Sequence, residues 1–362
     1  MKLVCGLLLI GSSLAAGSVA GQTPGCERFT LATPPTWSNS AAWSADGREL
    51  VIADNLGGRL LRYSQGKLTG TVSRPGLGPL EFNQPARLAS IPGGYLLENP
   101  SAKVLWLDAG FRPWKSVDFE TVKAGRGIKE EILGFGLLSP TLAGKDLLSY
   151  AILHRDGKPW LGFVRVSLEP FAVQELIDEV KPGSQEDRIF RLQGQELAQA
   201  AGGTYVLRFG ERAYIQRLAP DKQRLKAFPA GFEALPKLES LNGASAGPTL
   251  FRMLEGSTTA VKVYGRGAYL YLLTRKPEPG GTRWQLWQID PKRDAVVRGL
   301  DLPTHANHIY LAPGPRQWAV VEKGPVTPSS EQSIRTVLLL PAPWIEDLQV
   351  KALADGKTIA CR

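Results

Sequence analysis

RPGLGPLEFNQPARLASIPGGYLLENPSAKVLWLD, residues 74–108, carries the clearest structural pattern of the chain. It opens on a loop, Gly76-Leu77-Gly78-Pro79, followed by Glu81-Phe82-Asn83-Gln84-Pro85. A short apolar run, Ala86 to Ile91, leads to the turn Pro92-Gly93-Gly94. A second run covers Tyr95 to Glu98, and a third, Val104 to Leu107, closes on Asp108. Short apolar runs bounded by turn residues predict an antiparallel meander. One such unit cannot bury both of its faces, so it must stack on copies of itself.

Working outward, the same pattern returns. WSADGRELVIAD, from Trp43 to Asp54, places Asp46-Gly47 where a tight turn joins two strands. The first unit runs from Trp37 to Val72, with strands at Ala41–Trp43, Glu49–Ala53, Arg59–Tyr63 and Lys67–Val72. Gln84–Phe119 is the second unit, with Trp114–Phe119 as its outer strand, and Ile132–Ile177 is the third. Arg188–Phe232 is the fourth, least regular over Leu192–Ala200. Thr258–Leu302 is the fifth, and His308–Val350 the sixth, with Ile345–Val350 read as its last strand. A period of about 40–53 residues is that of a β-propeller, so the expected fold is all-β: six blades of four-stranded antiparallel sheets. Trp43, Trp106, Trp160, Trp284, Trp287 and Trp318 fall inside the strands and are expected to fill space between sheets, although one or two could stack on carbohydrate. Charged connections at Val122–Glu131 and Lys181–Asp187, and a Gly/Ser/Ala-rich one at Phe232–Glu255, are expected to gather on one face.

Composition agrees. The 362 residues include 39 Gly and 27 Pro, too many for a helical protein, and the 43% hydrophobic content excludes global disorder. Met1-Lys2, the apolar run Val4–Ile10 and the small residues Ser18-Val19-Ala20 form a signal-peptide pattern, with cleavage expected before Gly21 and a secreted or periplasmic product. No stretch reaches the roughly 20 apolar residues of a membrane span. The net charge of +9 is carried by scattered residues (Arg48, Arg59, Arg62, Arg87, Arg126, Arg188, Arg212, Arg266, Arg316), with no block and no nucleic-acid motif. A soluble basic surface and no nucleic-acid partner are therefore expected.

The loop Gly76-Leu77-Gly78-Pro79 with Phe82 and Pro85 resembles the G-x-G-P-x-x-F-x-x-P loop of NHL-type propellers. That resemblance is specific over Gly76–Asp108 and diffuse elsewhere. It implies a rigid, monomeric ring over residues 37–350, with a lead-in segment at 21–36 and a closing segment at 351–362. The expected role is a binding or scaffold module for a protein, peptide or glycan. The alternative is a calcium-dependent hydrolase or lactonase, because six-bladed enzymes of the gluconolactonase type hold a metal on the ring axis. Two cysteines remain after signal removal, Cys26 and Cys361, and an even count in an oxidising compartment predicts pairing. A ring brings its ends together as a disulfide requires. Lipidation of Cys26 is the alternative; Gly25 suits it, whereas Thr23 and Pro24 do not.

Chemistry-bearing motifs are sparse. His305 and His308 are three apart without the glutamate of H-E-x-x-H, and are expected to be solvent-facing loop residues; His154 flanks a hairpin turn. There is no G-x-S-x-G, and Gly125-Arg126-Gly127 and Gly265-Arg266-Gly267 read as turns. No catalytic or cofactor-binding residue is assigned. Oxygen ligands for calcium would come from Asp54, Asn55, Glu81, Glu98 and Asn99, although strand-end Asp and Asn usually make Asx turns.

Overall fold

In a computed structural model the chain forms a six-bladed β-propeller. The residues described are 25–36, 38, 40–99, 103–118, 123–124, 128, 131–143, 146–193, 197–210, 212–219, 221–232, 256–323 and 334–347. The expected signal peptide, Trp37 and the closing segment 351–362 with Cys361 lie outside them.

The first strand, β1 (Glu27–Thr30), belongs to the last blade. Blade one is β2 (Ala41–Trp43), β3 (Leu50–Asp54), β4 (Arg59–Ser64) and β5 (Lys67–Ser73). Blade two is β6 (Arg87–Ile91), β7 (Gly94–Asn99), β8 (Lys103–Asp108) and β9 (Pro113–Asp118). Blade three has a short parallel edge strand, β10 (Lys123–Ala124), outside β11 (Glu131–Ala143), β12 (Asp146–Arg155), β13 (Lys158–Leu168) and β14 (Phe171–Val180). Helix α1 (Gln185–Gln193) leads into blade four, β15 (Leu197–Ala200), β16 (Gly203–Phe209) and β17 (Ala213–Ala219). Among the described residues its fourth strand is a fragment on the β17 edge, where Arg217 N donates to Gln223 O and Leu225 N to Ile215 O. Blade five is β18 (Thr259–Arg266), β19 (Tyr269–Glu278), β20 (Gly281–Asp290) and β21 (Ala295–Asp301). Blade six is β22 (His308–Pro313), β23 (Gln317–Lys323) and β24 (Ile334–Pro341), followed by helix α2 (Ala342–Glu346).

Two expectations are corrected. The outer strand of blade six is β1, paired antiparallel with β24 from Glu27↔Leu339 to Thr30↔Thr336, and not Ile345–Val350. Pro341-Ala342-Pro343 starts α2 instead, because proline's fixed φ suits a first helical turn and its missing N–H breaks a ladder. The second correction is α1, which begins inside the stretch read as a charged connection. Ser184 and Asp187 cap it reciprocally: Asp187 N donates to Ser184 Oγ (3.1 Å) and Gly183 N to Asp187 Oδ2 (3.0 Å).

Apolar clusters lie between neighbouring blades, as a propeller requires. Leu97 and Leu105 meet Val51 and Leu60; Trp106 meets Val164 and Val173; Trp318 meets Tyr264 and Tyr271. Phe82, from the defining loop, is fully buried between blades one and two. Its loop is pinned by Phe82 N to Arg74 O (2.7 Å), by Gly78 N to Glu81 Oε2 (2.7 Å), and by Lys103 Nζ donating to Gly78 O. Gly76 has φ +150°, a backbone conformation that L side chains rarely adopt, which favours glycine there. Trp43, Trp106, Trp160, Trp284, Trp287 and Trp318 are buried or half-buried, and Trp43 and Trp284 tie blades together through Nε1 to Ala312 O (2.9 Å) and Ala306 O (2.7 Å).

Candidate functional site

The inner strands β2, β6, β11, β15, β18 and β22 line the axis in ring order. With consecutive antiparallel strands in each blade, every inner strand begins at one face, here the upper face, and every second strand ends there. The long connections expected to gather on one face leave and re-enter the described strands at this same face.

Register brings basic side chains together at that end. Arg87 is the first residue of β6, and His308, the first of β22, pairs with Lys323, the last of β23. Arg275 in β19 pairs with Thr259, the first residue of β18, and Lys262 lies one bulge further along β18. Arg275 is buried, and the other four are half-buried. Arg87 and Lys323 repel the charge on Lys262. Blades two and five are opposite each other in a ring of six, so the Arg87–Lys262 interaction runs across the axis.

These groups hold their protons weakly. Burial, then repulsion from Arg87 and Lys323, pushes the Lys262 ammonium well below the usual lysine range. Burial brings Lys323 down to about 8. Burial, with Arg275 and Lys323 nearby, brings His308 to about 4. Aromatic faces partly offset that penalty: Lys262 Nζ lies 5.0 Å from the Tyr264 ring centroid and Lys323 Nζ 5.8 Å from that of Tyr310. His308 is thus a half-buried, first-strand residue and not the solvent-facing loop residue expected, while His305 is exposed and His154 flanks its hairpin as read. Such an end of the ring can accept negative charge, and a ligand that brings it raises the affinity of the lysines for protons.

The oxygen ligands considered for calcium do not converge. Asp54 is buried and holds Arg59 Nε (2.9 Å), Thr36 N (2.9 Å) and Gly57 N (3.2 Å), an Asx-type role. Asn55 lies in the adjoining turn. Glu81 serves Gly78 N, Asn99 Oδ1 accepts from Gln84 N (3.1 Å), and Glu98 faces Arg87 at 3.7 Å. Among the described residues no three His, Cys, Asp or Glu side chains form a group that could hold a metal. The described donors therefore do not fit a calcium ion. Cys26 is 1% exposed, in the cluster that also contains Trp344 and Ile345; its expected partner Cys361 lies outside the described residues. Gly265 lies within β18 and Gly267 opens the turn to β19, whereas Gly125–Gly127 lies outside the described residues.

Sequence reading missed the axial set because its members stand at 87, 262, 275, 308 and 323, far apart along the chain. Like Arg87 with Glu98, other arginines of that scattered set are paired with acids: Arg48 with Asp46, Arg59 with Asp54, Arg62 with Glu49, Arg266 with Glu346.

No protein-family model matches the chain, and no curated protein matches it. Among solved structures, it is similar to a member of the DUF4221 family from Bacteroides vulgatus, with a TM-score of 0.57 at 11% identity over 88% of this chain and 96% of that one. It is also similar to a luciferin-regenerating enzyme, with a TM-score of 0.47 at 11% identity over 87% of this chain and 95% of that one. At such identities the first likeness supports the fold alone. No helix among the described residues is long and apolar enough to cross a membrane.

Proposed function

We propose that the protein is an exported propeller of the NHL type that works as a binding module, taking an acidic segment of a protein or peptide partner onto the axial cations of its upper face. The observation that carries this reading is the strand register that sets Arg87, Lys262, Arg275, His308 and Lys323 at the same end of the strands about the axis. Burial and like charge disfavour the protonated forms of Lys262 and Lys323, and an anionic partner beside them favours those forms. Export rests on the N-terminal pattern Met1–Ala20. The end-to-end Cys26–Cys361 disulfide belongs to the same proposal: β1 and β24 share one blade, and Cys26 packs in the cluster that holds Trp344 and Ile345. Such a bridge would stabilise by on the order of 4–5 kcal/mol in the chain-entropy model.

The test is calorimetric titration with an octaglutamate peptide at low salt, against the native protein and the Lys262→Gln/Lys323→Gln variant. Binding is expected to weaken with added salt and to fall at least about tenfold in the variant, or about 1.4 kcal/mol. Equal affinity for both proteins, or no binding at about 1 mM peptide, would refute it.

A further inference from the structure

A groove of about 790 Å³ opens between blades two and three on the lower face, away from the axial cations. That size lies within the range of about 300–1,000 Å³ that accommodates small-molecule ligands. Trp114, 58% exposed, lies in its wall, whereas Trp106 beneath it is buried. Among the described tryptophans only Trp114 is exposed.

The backbone aims this indole. In β9, Lys115 pairs with Trp106 and Pro113 with Leu107, so Trp114 is the extra residue of a β-bulge, a device that redirects a side chain. Across the groove, Arg165 pairs with Glu175 and Val166 with Val173, which makes Gln174 the extra residue of a second bulge. The same bulge recurs in the outer strand pairs of blades one and five, where the extra residues are Thr69 and Val297. The second–third junction is thus where an indole and a carboxamide, both set out by bulges, line one groove.

Among the described residues the remaining polar lining is balanced in charge. Lys115 bridges the groove to Glu169 (3.4 Å), and Arg165 lies 3.9 Å from Asp146. Gln174 Nε2 donates to Ser167 Oγ (2.9 Å). These described donors and acceptors carry no dominant sign, which favours neither an anion nor a cation. A flat apolar surface beside alternating donors and acceptors matches a ligand that has an apolar face and a rim of hydroxyls.

We propose that this groove binds a neutral oligosaccharide, with one sugar ring stacked on Trp114 and its hydroxyls shared among Asp146, Arg165 and Gln174. The site is independent of the upper face. A ligand held there leaves the axial cations open, so one ring can hold a glycan on one side and an acidic partner on the other.

Cellohexaose, maltohexaose and chitohexaose are the probes, with decaproline as the competing peptide ligand, each followed by tryptophan fluorescence and calorimetry. The expected result is that at least one of the three sugars binds with a Kd of about 1 mM or tighter and with no dependence on salt. Trp114→Ala should weaken it at least about tenfold, Trp114→Phe should retain part of it, and Lys262→Gln/Lys323→Gln should leave it unchanged. No binding of any sugar at about 5 mM would overturn the proposal, as would full affinity in Trp114→Ala or binding of decaproline alone.

Discussion

Replacing Arg208 with methionine tests how the third and fourth blades are joined. Arg208 in β16 is buried, and its guanidinium holds Glu186 of α1 at 2.6 and 2.9 Å, Asp178 of β14 at 2.7 Å and Gln216 Oε1 at 3.0 Å. Its Nη2 also donates to Glu179 O (3.3 Å). Methionine fills similar space but leaves two largely buried carboxylates facing each other. Breaking a buried ionic cluster by removing one partner costs about 3–5 kcal/mol. Lys222, 3.1 Å from Asp178, offsets part of it, so the lower half of that range is the expectation. For a domain this size, that is a fall in Tm of about 5–12 °C. Neutralising the acids in Arg208→Met/Asp178→Asn/Glu186→Gln should restore most of the loss, because the destabilisation arises from uncompensated charge. Urea unfolding followed by tryptophan fluorescence measures both variants. A single variant within about 0.5 kcal/mol of native, or a triple variant no better than the single, would refute the reasoning.

Other consequences follow from the same structure. Acidification should destabilise the ring between about pH 6.5 and 4: the depressed His308 stays neutral in the folded state while the unfolded chain takes up a proton, so stability falls with pH across that window. The loss, discounted for partial exposure, is about 1–3 kcal/mol, and His308→Gln should flatten that limb of the curve. By the same linkage Lys323, depressed to about 8, makes stability rise as the pH climbs from about 8 towards the usual lysine value. Trp318→Ala empties a fully buried site against Tyr264 and Tyr271 and should cost about 3–5 kcal/mol, whereas Trp114→Ala should change stability by no more than about 0.5 kcal/mol; chemical denaturation separates them. Deleting Glu27–Thr30 uncovers the β24 edge from Thr336 to Leu339 and should drive self-association, seen as a concentration-dependent rise in light scattering; a monodisperse variant would contradict ring closure by β1.

What the sequence made legible follows from the range of the forces involved. Blades one, two and five could be read because period-two alternation and turns such as Asp46-Gly47 are local signals; Ser44 N to Glu49 O and Gly47 N to Ser44 O, both 2.8 Å, close that turn as expected. The start of α1 was also written locally, in Ser184-x-x-Asp187, but the charged residues around it mask the apolar pair Ile189 and Phe190 that it buries. The role of β1 was not legible. Four residues, ERFT, carry little pattern, and their partner β24 is at the other end of the chain. The axial set was invisible for a related reason. Each of Arg87, Lys262, Arg275, His308 and Lys323 looks like an ordinary surface residue until strand register places it beside the others. Trp114 reads as one more strand tryptophan, and only the bulge opposite Trp106 turns it outward.

If the upper face binds negative charge on cations held partly deprotonated, binding is accompanied by proton uptake. Octaglutamate would be titrated by calorimetry at pH 8 in two buffers of different ionisation enthalpy. With Lys323 at about 8, half of it is neutral before binding, and a carboxylate within about 4 Å is worth enough at an effective dielectric constant near 20 to protonate it. The prediction is uptake of about half a proton from Lys323, more where Lys262 also charges, with the Lys323 share shrinking near pH 6, where Lys323 is already charged, and uptake at pH 8 reduced in Lys323→Gln. Binding with no proton uptake at pH 8, or with the same uptake in Lys323→Gln, would contradict the account.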